Sequence, residues 1–160
     1  MTIGGKCYCK NGLVIVIFLP GFLSISGNIL VLYVFLKFRN LRTPSNVLVM
    51  NLALSDLLIM ATLVPECIVN FFLGGTWQFG DVACQIHAFC GTIFGIAQIS
   101  TLVFISYDRF NVVVRGMAAT PLSFGKVAIF LLIVWVWSGL WAVGPYFGFG
   151  SYALDGALAS

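Results

Sequence analysis

Apolar residues in this chain do not alternate with polar ones at a helical or a strand period; they run on. Residues 13–36, 82–107 and 127–147 carry no formal charge, and 47–73 is interrupted only by Asp56 and Glu66. A helix rises about 1.5 Å per residue, so each run can cross a hydrocarbon layer of about 30 Å, the longest of them only with tilt. The rival architecture is a very apolar soluble bundle, whose helices would keep a polar face repeating every ~3.6 residues. AIFLLIVWVW, residues 128–137, has no such face. The first run is also too long for the core of a signal peptide, and no small-residue cleavage site follows it. The pattern predicts an all-α membrane protein with four spanning helices: an N-terminal segment over 1–12, helices and connecting loops over 13–147, and the start of a further loop over 148–160.

Composition sharpens that reading. The chain is 61% hydrophobic and 8% charged, against about 45–50% and about 25% for a soluble domain. The few charges are placed unevenly. Lys37, Arg39 and Arg42 lie between the first two runs, and Arg109, Arg115 and Lys126 flank the loop between the last two, whereas only Lys6 and Lys10 lie on the other side. Basic residues in short loops stay in the cytosol, so the expected topology is multi-pass with the N-terminus outside. The net charge of +3 is therefore a topology signal and no argument for nucleic acid. Five cysteines cannot all pair within the chain. Cys67 and Cys90 lie inside spans, where a thiol serves as a small apolar filler. Cys84 sits at the outer edge of the third run, in an oxidising compartment, and Cys7 and Cys9 are too local to imply a metal site.

Polar residues inside spans are costly and need a partner or a cavity. Counted from the cytosolic ends, Asn28 lies nine residues before Lys37, Asp56 nine after Val47, and Trp135 nine after Lys126; all three fall roughly 14 Å deep. An amide, a carboxyl and an indole N–H from three helices are thus expected to share one buried network, joined by Gln98 from the third helix. Asp56 then reads either as a hydrogen-bonded structural residue or as a titrating or ion-sensitive hub of a switching bundle. Asp108 and Arg109 come where the third uncharged run ends, so both can reach water without full desolvation. Neighbours on a helix do not share a face, so this pair reads as a helix-end boundary mark or as an arginine free to seek another partner.

Several of these residues, taken in order, resemble the rhodopsin-like (class A) G-protein-coupled receptors: Gly27-Asn28, Asn51-Leu-Ala-Leu-Ser-Asp56, Trp77-x-Phe-Gly before Cys84, Asp108-Arg109-Phe110, and Trp135 with Pro145. The resemblance covers roughly residues 13 to 155 and implies the first four helices of a seven-helix bundle, a receptor rather than an enzyme. It implies that Arg109 is the switch that receives a heterotrimeric G protein, held at rest by Asp108; the family's usual tyrosine is here Phe110. Amine receptors carry an aspartate seven residues after the outer cysteine, where this chain has Gly91. Tyr152-Ala-Leu-Asp155-Gly156 resembles the loop that plugs the retinal pocket of opsins, and the stretch after Ser106 is similar to invertebrate-type opsins.

If the chain is an opsin, it binds retinal as a protonated Schiff base in a photoreceptor membrane, and such a buried cation needs an anion nearby to keep its proton. Vertebrate pigments place a glutamate three residues after the outer cysteine. His87 stands there, so the resemblance makes Asp155 the expected counterion and Glu66 the alternative. It also implies that His87, Gly91, Thr92 and Gly95 line the pocket, the glycines giving room for a rigid polyene. The rival readings are close helix–helix packing at Gly91-x-x-x-Gly95 and a structural histidine near the membrane surface. Cys84 is expected to pair with a cysteine beyond Ser160. Lys6, Lys10, Lys37 and Lys126 all lie outside the apolar runs, so no retinal is expected on these 160 residues alone. Two other functions fit less of the pattern: a receptor for a diffusible non-amine ligand, and a transporter or channel using Asp56 and Glu66 as an ion path.

Overall fold

The computed structural model describes residues 11–72, 80–116 and 121–147. Four helices follow one another: α1 (Asn11–Lys37), α2 (Pro44–Phe72), α3 (Gly80–Arg115) and α4 (Phe124–Val143), with 3-10 turns at Arg39–Leu41 and Gly144–Phe147. All four contain segments long and apolar enough to cross a membrane. α2 is the hub: it packs along α1 and α3 and also touches α4, which lies against α3.

The sequence dictates where these helices stop and start. The Thr43 hydroxyl accepts from the Asn46 amide at 3.4 Å, and Pro44 follows at the first helical position, where its missing N–H is no loss. Ser123 does the same for α4, accepting from the Lys126 amide. At the end of α1 the Arg42 side chain folds back, its Nε donating to the Phe35 carbonyl at 2.9 Å and its terminal nitrogen to the Leu36 carbonyl. Asn46 Nδ2 donates to the Leu41 carbonyl at 2.8 Å. These side chains take up carbonyls that a helix end leaves without partners. α3 ends at Gly116, whose φ of +51° is a left-handed value that closes helices well with glycine.

The end of α3 departs from the expectation. The uncharged run stops at Tyr107, but the helix continues to Arg115. Asp108 and Arg109 are therefore not a helix end; they sit inside a helix that extends about two turns beyond them. A change of solvent ends an apolar run, whereas a change of backbone conformation ends a helix, and here the two fall at different residues.

Burial is inverted relative to a protein in water. The fully or nearly buried side chains include Ala53, Ala97, Ala142, Ser55, Thr101, Ser138, Asn51 and Asp108, while Phe22, Leu30, Ile99, Val103, Leu132, Leu140 and Trp141 face outward. Small residues at the seams let helices approach closely where lipid supplies no hydrophobic drive. On α4 the buried positions Val127, Val134, Ser138 and Ala142 recur at spacings of seven and four, which draw a single stripe along the helix. Aromatic pairs fasten α3 to α4 along its length. Phe104 stacks on Phe130 with centroids 4.3 Å apart, Tyr107 meets the edge of Phe130, Phe94 meets Trp135 at 6.3 Å, and Phe89 meets Tyr146 beyond the end of α4.

Candidate functional site

The polar residues of the interior come together in two groups, not one. Trp135 of α4 donates its indole N–H to Asn51 Oδ1 at 3.1 Å. Asn51 of α2 in turn donates through Nδ2 to Thr101 Oγ1 on α3 at 2.9 Å, and the Thr101 hydroxyl donates to the Ala97 carbonyl at 2.6 Å. One buried amide thereby ties three helices, its oxygen and its nitrogen each engaged. The second group lies between α1 and α2: the Asn28 side chain is beside the Asp56 carboxyl, and its Nδ2 donates to the Ser24 carbonyl at 2.9 Å.

Equal counting from the cytosolic ends had put Trp135 at the level of Asp56. Its partner is instead Asn51, five residues nearer the N-terminus of α2. Counted from the helix starts at Pro44 and Phe124, Asp56 and Trp135 would still be level, at twelve and eleven residues, so the contact shows that α2 and α4 are offset along their axes and that equal residue counts do not mean equal depth. Gln98 joins neither group: among the described residues its Nε2 is buried without a hydrogen-bond partner, as is Ser55 Oγ on α2. α2 and α3 run antiparallel, so Ser55 and Gln98 lie about one turn outward of the Asn51–Thr101 contact, towards Asp56. Buried polar atoms of this kind call for water or a further polar group.

Towards the C-terminal end of α3, rotation of about 100° per residue separates the two charges. Asp108 is turned into the bundle and is only 6% exposed. Arg109 is exposed, as is Phe110, and among the described residues no ion pair joins Arg109 to Asp108. The guanidinium is presented on a face that α2 and α4 leave open.

In the N-terminal half of α3, His87, Gly91 and Gly95 follow at intervals of four and form one stripe along the helix. A Cβ placed on Gly91 or Gly95 would meet no heavy atom within 4 Å. Among the described residues α1, α2 and α4 place nothing against these glycines, and the same holds for Gly27 and Gly139, so both readings of the stripe stand. Thr92 Oγ1 donates to the Ala88 carbonyl at 2.8 Å, which turns its hydroxyl to its own backbone and presents its methyl group. His87 is half-buried. Glu66 and Cys84 are placed on α2 and α3 by backbone alone, and Asp155 lies outside the described residues.

Two residues of the three-helix tie, Asn51 and Thr101, had not been singled out as partners by sequence reasoning. The signal was present for Asn51, an amide in an otherwise apolar stretch five residues before Asp56. Thr101 gave less, since threonine bonds to its own helix as readily as to a neighbour.

Comparison with known proteins agrees with this geometry. Residues 27–157 match the family described as 7 transmembrane receptor (rhodopsin family). The chain is 44% identical over 146 residues to rhodopsin of Faxonius virilis, covering 91% of this chain and 48% of that protein. It is 43% identical over the same length to rhodopsin of Cambarus hubrichti. The crystal structure of squid rhodopsin superposes with a TM-score of 0.80 at 39% identity, covering 92% of this chain and 42% of that one. The chain spans about half the length of the curated relatives it matches.

Proposed function

Since this chain belongs to the rhodopsin family of seven-transmembrane receptors, we propose that it is the helix-one-to-four part of an opsin, a light-activated receptor that binds retinal and signals to a heterotrimeric G protein. The observation that carries the reading is 44% identity to a crustacean rhodopsin across 91% of the chain. The side chains missing at Gly91 and Gly95 fit it, since a rigid polyene crossing α3 needs residues that barely protrude. The methyl face of Thr92 adds an apolar wall. Bound retinal would supply light absorption; the protein's part is to shape the cavity, hold an anion near it and relay the change inward.

Asp155 is the proposed anion, with Glu66 as the alternative and His87 a neutral lining residue. The relay is α3 itself. Gly91 and Arg109 are 18 residues apart, about 27 Å along one helix, and the three-helix tie at Asn51 lies between them. Arg109, exposed and unpaired with Asp108, is the proposed contact for the G protein. Cys84 is proposed to be disulfide-bonded to a cysteine beyond Ser160, and the N-terminus to lie outside a photoreceptor membrane.

The test is spectroscopic: express the complete receptor, add retinal in darkness, and record absorbance before and after illumination. A visible band that changes with light, accompanied by light-dependent nucleotide exchange on added G protein, is the expected result. No band with normal folding would return the chain to the receptors for diffusible ligands.

A further inference from the structure

We propose that Phe130 of α4 is a positioning residue for Arg109: it clamps two rings of α3, Phe104 and Tyr107, and so fixes the direction in which the guanidinium points. The inference rests on the proposed role of Arg109 at the G protein. Phe130 stacks on Phe104 with centroids 4.3 Å apart and planes 15° from parallel, and it meets Tyr107 edge-on at 6.5 Å and 82°. Both arrangements are favoured ones for aromatic pairs. Phe104 and Tyr107 are three residues apart and therefore neighbours on one face of α3, so a single ring from α4 grips both. Among the described residues these are the ring contacts of α3 nearest to Arg109.

The helical rotation shows why this grip acts on Arg109. At about 100° per residue, Thr101 and Asp108 lie within about 60° of Phe104 around α3. Both are buried, at 0% and 6% exposure, which marks the side of α3 that packs on its neighbours. Arg109 lies about 140° from Phe104 and about 160° from Tyr107, on the far side of the helix from the clamp. Turning α3 about its axis to redirect Arg109 must therefore slide both rings across Phe130. The clamp is itself seated, because Phe130 lies three residues after Val127 and four before Val134, which are 1% and 0% exposed. Its backbone is thus packed one turn to either side.

Loss of the clamp widens the range of directions open to Arg109 and leaves a smaller fraction of receptors poised to dock. Apparent affinity for the partner falls by that fraction, while the rate at saturating partner is kept, because binding draws the population back. An aromatic pair is worth about two- to tenfold in such an equilibrium.

The test is light-dependent nucleotide exchange by the complete receptor with retinal, measured against G-protein concentration. Phe130→Leu should raise the KM for G protein about two- to tenfold, with the maximal rate and the pigment spectrum unchanged, and Phe130→Tyr should restore the parental KM. Phe104→Leu removes the stacked ring, leaves Phe130 in place and should reproduce the rise; it decides the matter if Phe130→Leu forms no pigment. Phe89→Leu breaks the ring pair with Tyr146 at the other end of the same seam and should leave the KM unchanged. An unchanged KM in Phe104→Leu, or an equal rise in Phe89→Leu, would overturn the clamp. A loss confined to pigment yield, with exchange per pigment unaltered, would reduce Phe130 to packing and overturn it as well. Failure of the underlying reading shows separately, since Arg109→Ala would then leave exchange unchanged.

Discussion

Arg109 and Asp108 are adjacent in sequence and opposite in environment, and that difference sets what each can do. Arg109 faces out, so Arg109→Ala should leave the dark absorption spectrum of the complete receptor in place and abolish light-dependent nucleotide exchange; unchanged exchange would reduce it to a boundary charge. Asp108 is buried beside it and is expected to matter through the packing of α3. For Trp135 the expected change is in stability. Trp135→Phe keeps an aromatic body against Phe94 but leaves Asn51 Oδ1 without its donor. Hydrogen bonds between membrane helices are worth about 0.6 kcal/mol on average and up to about 1.7, so thermal unfolding in detergent should show a loss in that range. At the proposed retinal site, Asp155→Asn should move the absorption of the complete receptor strongly towards the ultraviolet at neutral pH. A retained visible peak would transfer the role to Glu66.

At the scale of elements, α3 is the longest helix among the described residues, 36 residues from Gly80 to Arg115, and it bears the His87–Gly91–Gly95 stripe, the Thr101 contact and the exposed Arg109. Its continuation beyond Tyr107 puts Gly91 and Arg109 on one unbroken helix. The loop between α1 and α2 is the opposite kind of element, short and closed by side chains. Replacing Arg42 with glutamine removes charge-assisted donors from the Phe35 and Leu36 carbonyls, each such bond being worth roughly 1.5–3 kcal/mol at most and less at this exposed position. Faster amide exchange over the last turn of α1, with exchange in α4 unchanged, is the expected readout.

For the whole molecule, the outward faces are built for lipid and the seams for close approach. Six basic residues flank the loops at one end and two precede α1 at the other, so a glycosylation acceptor inserted before residue 11 should be modified in microsomes, and one inserted between Leu41 and Pro44 should not. All four lysines lie outside the apolar runs. The 160 residues expressed alone with retinal should therefore give no light-sensitive visible band, and borohydride reduction should trap no covalent adduct within the spans.

Length and composition of the apolar runs determined the spans, since a bilayer of fixed thickness asks only for enough unbroken hydrophobic residues in a helix. The caps at Thr43-Pro44 and Ser123 are equally local and can be read from residue type. The family's motif order was legible too, because those side chains recur at set spacings along single helices. What the tertiary structure decided was partnership. Trp135 pairs with Asn51 and not with Asp56 because the axial offset of two packed helices, not residue count, fixes the level at which they meet. The direction of Asp108, into the bundle while its neighbour faces out, likewise follows from which face of α3 the other helices happen to cover.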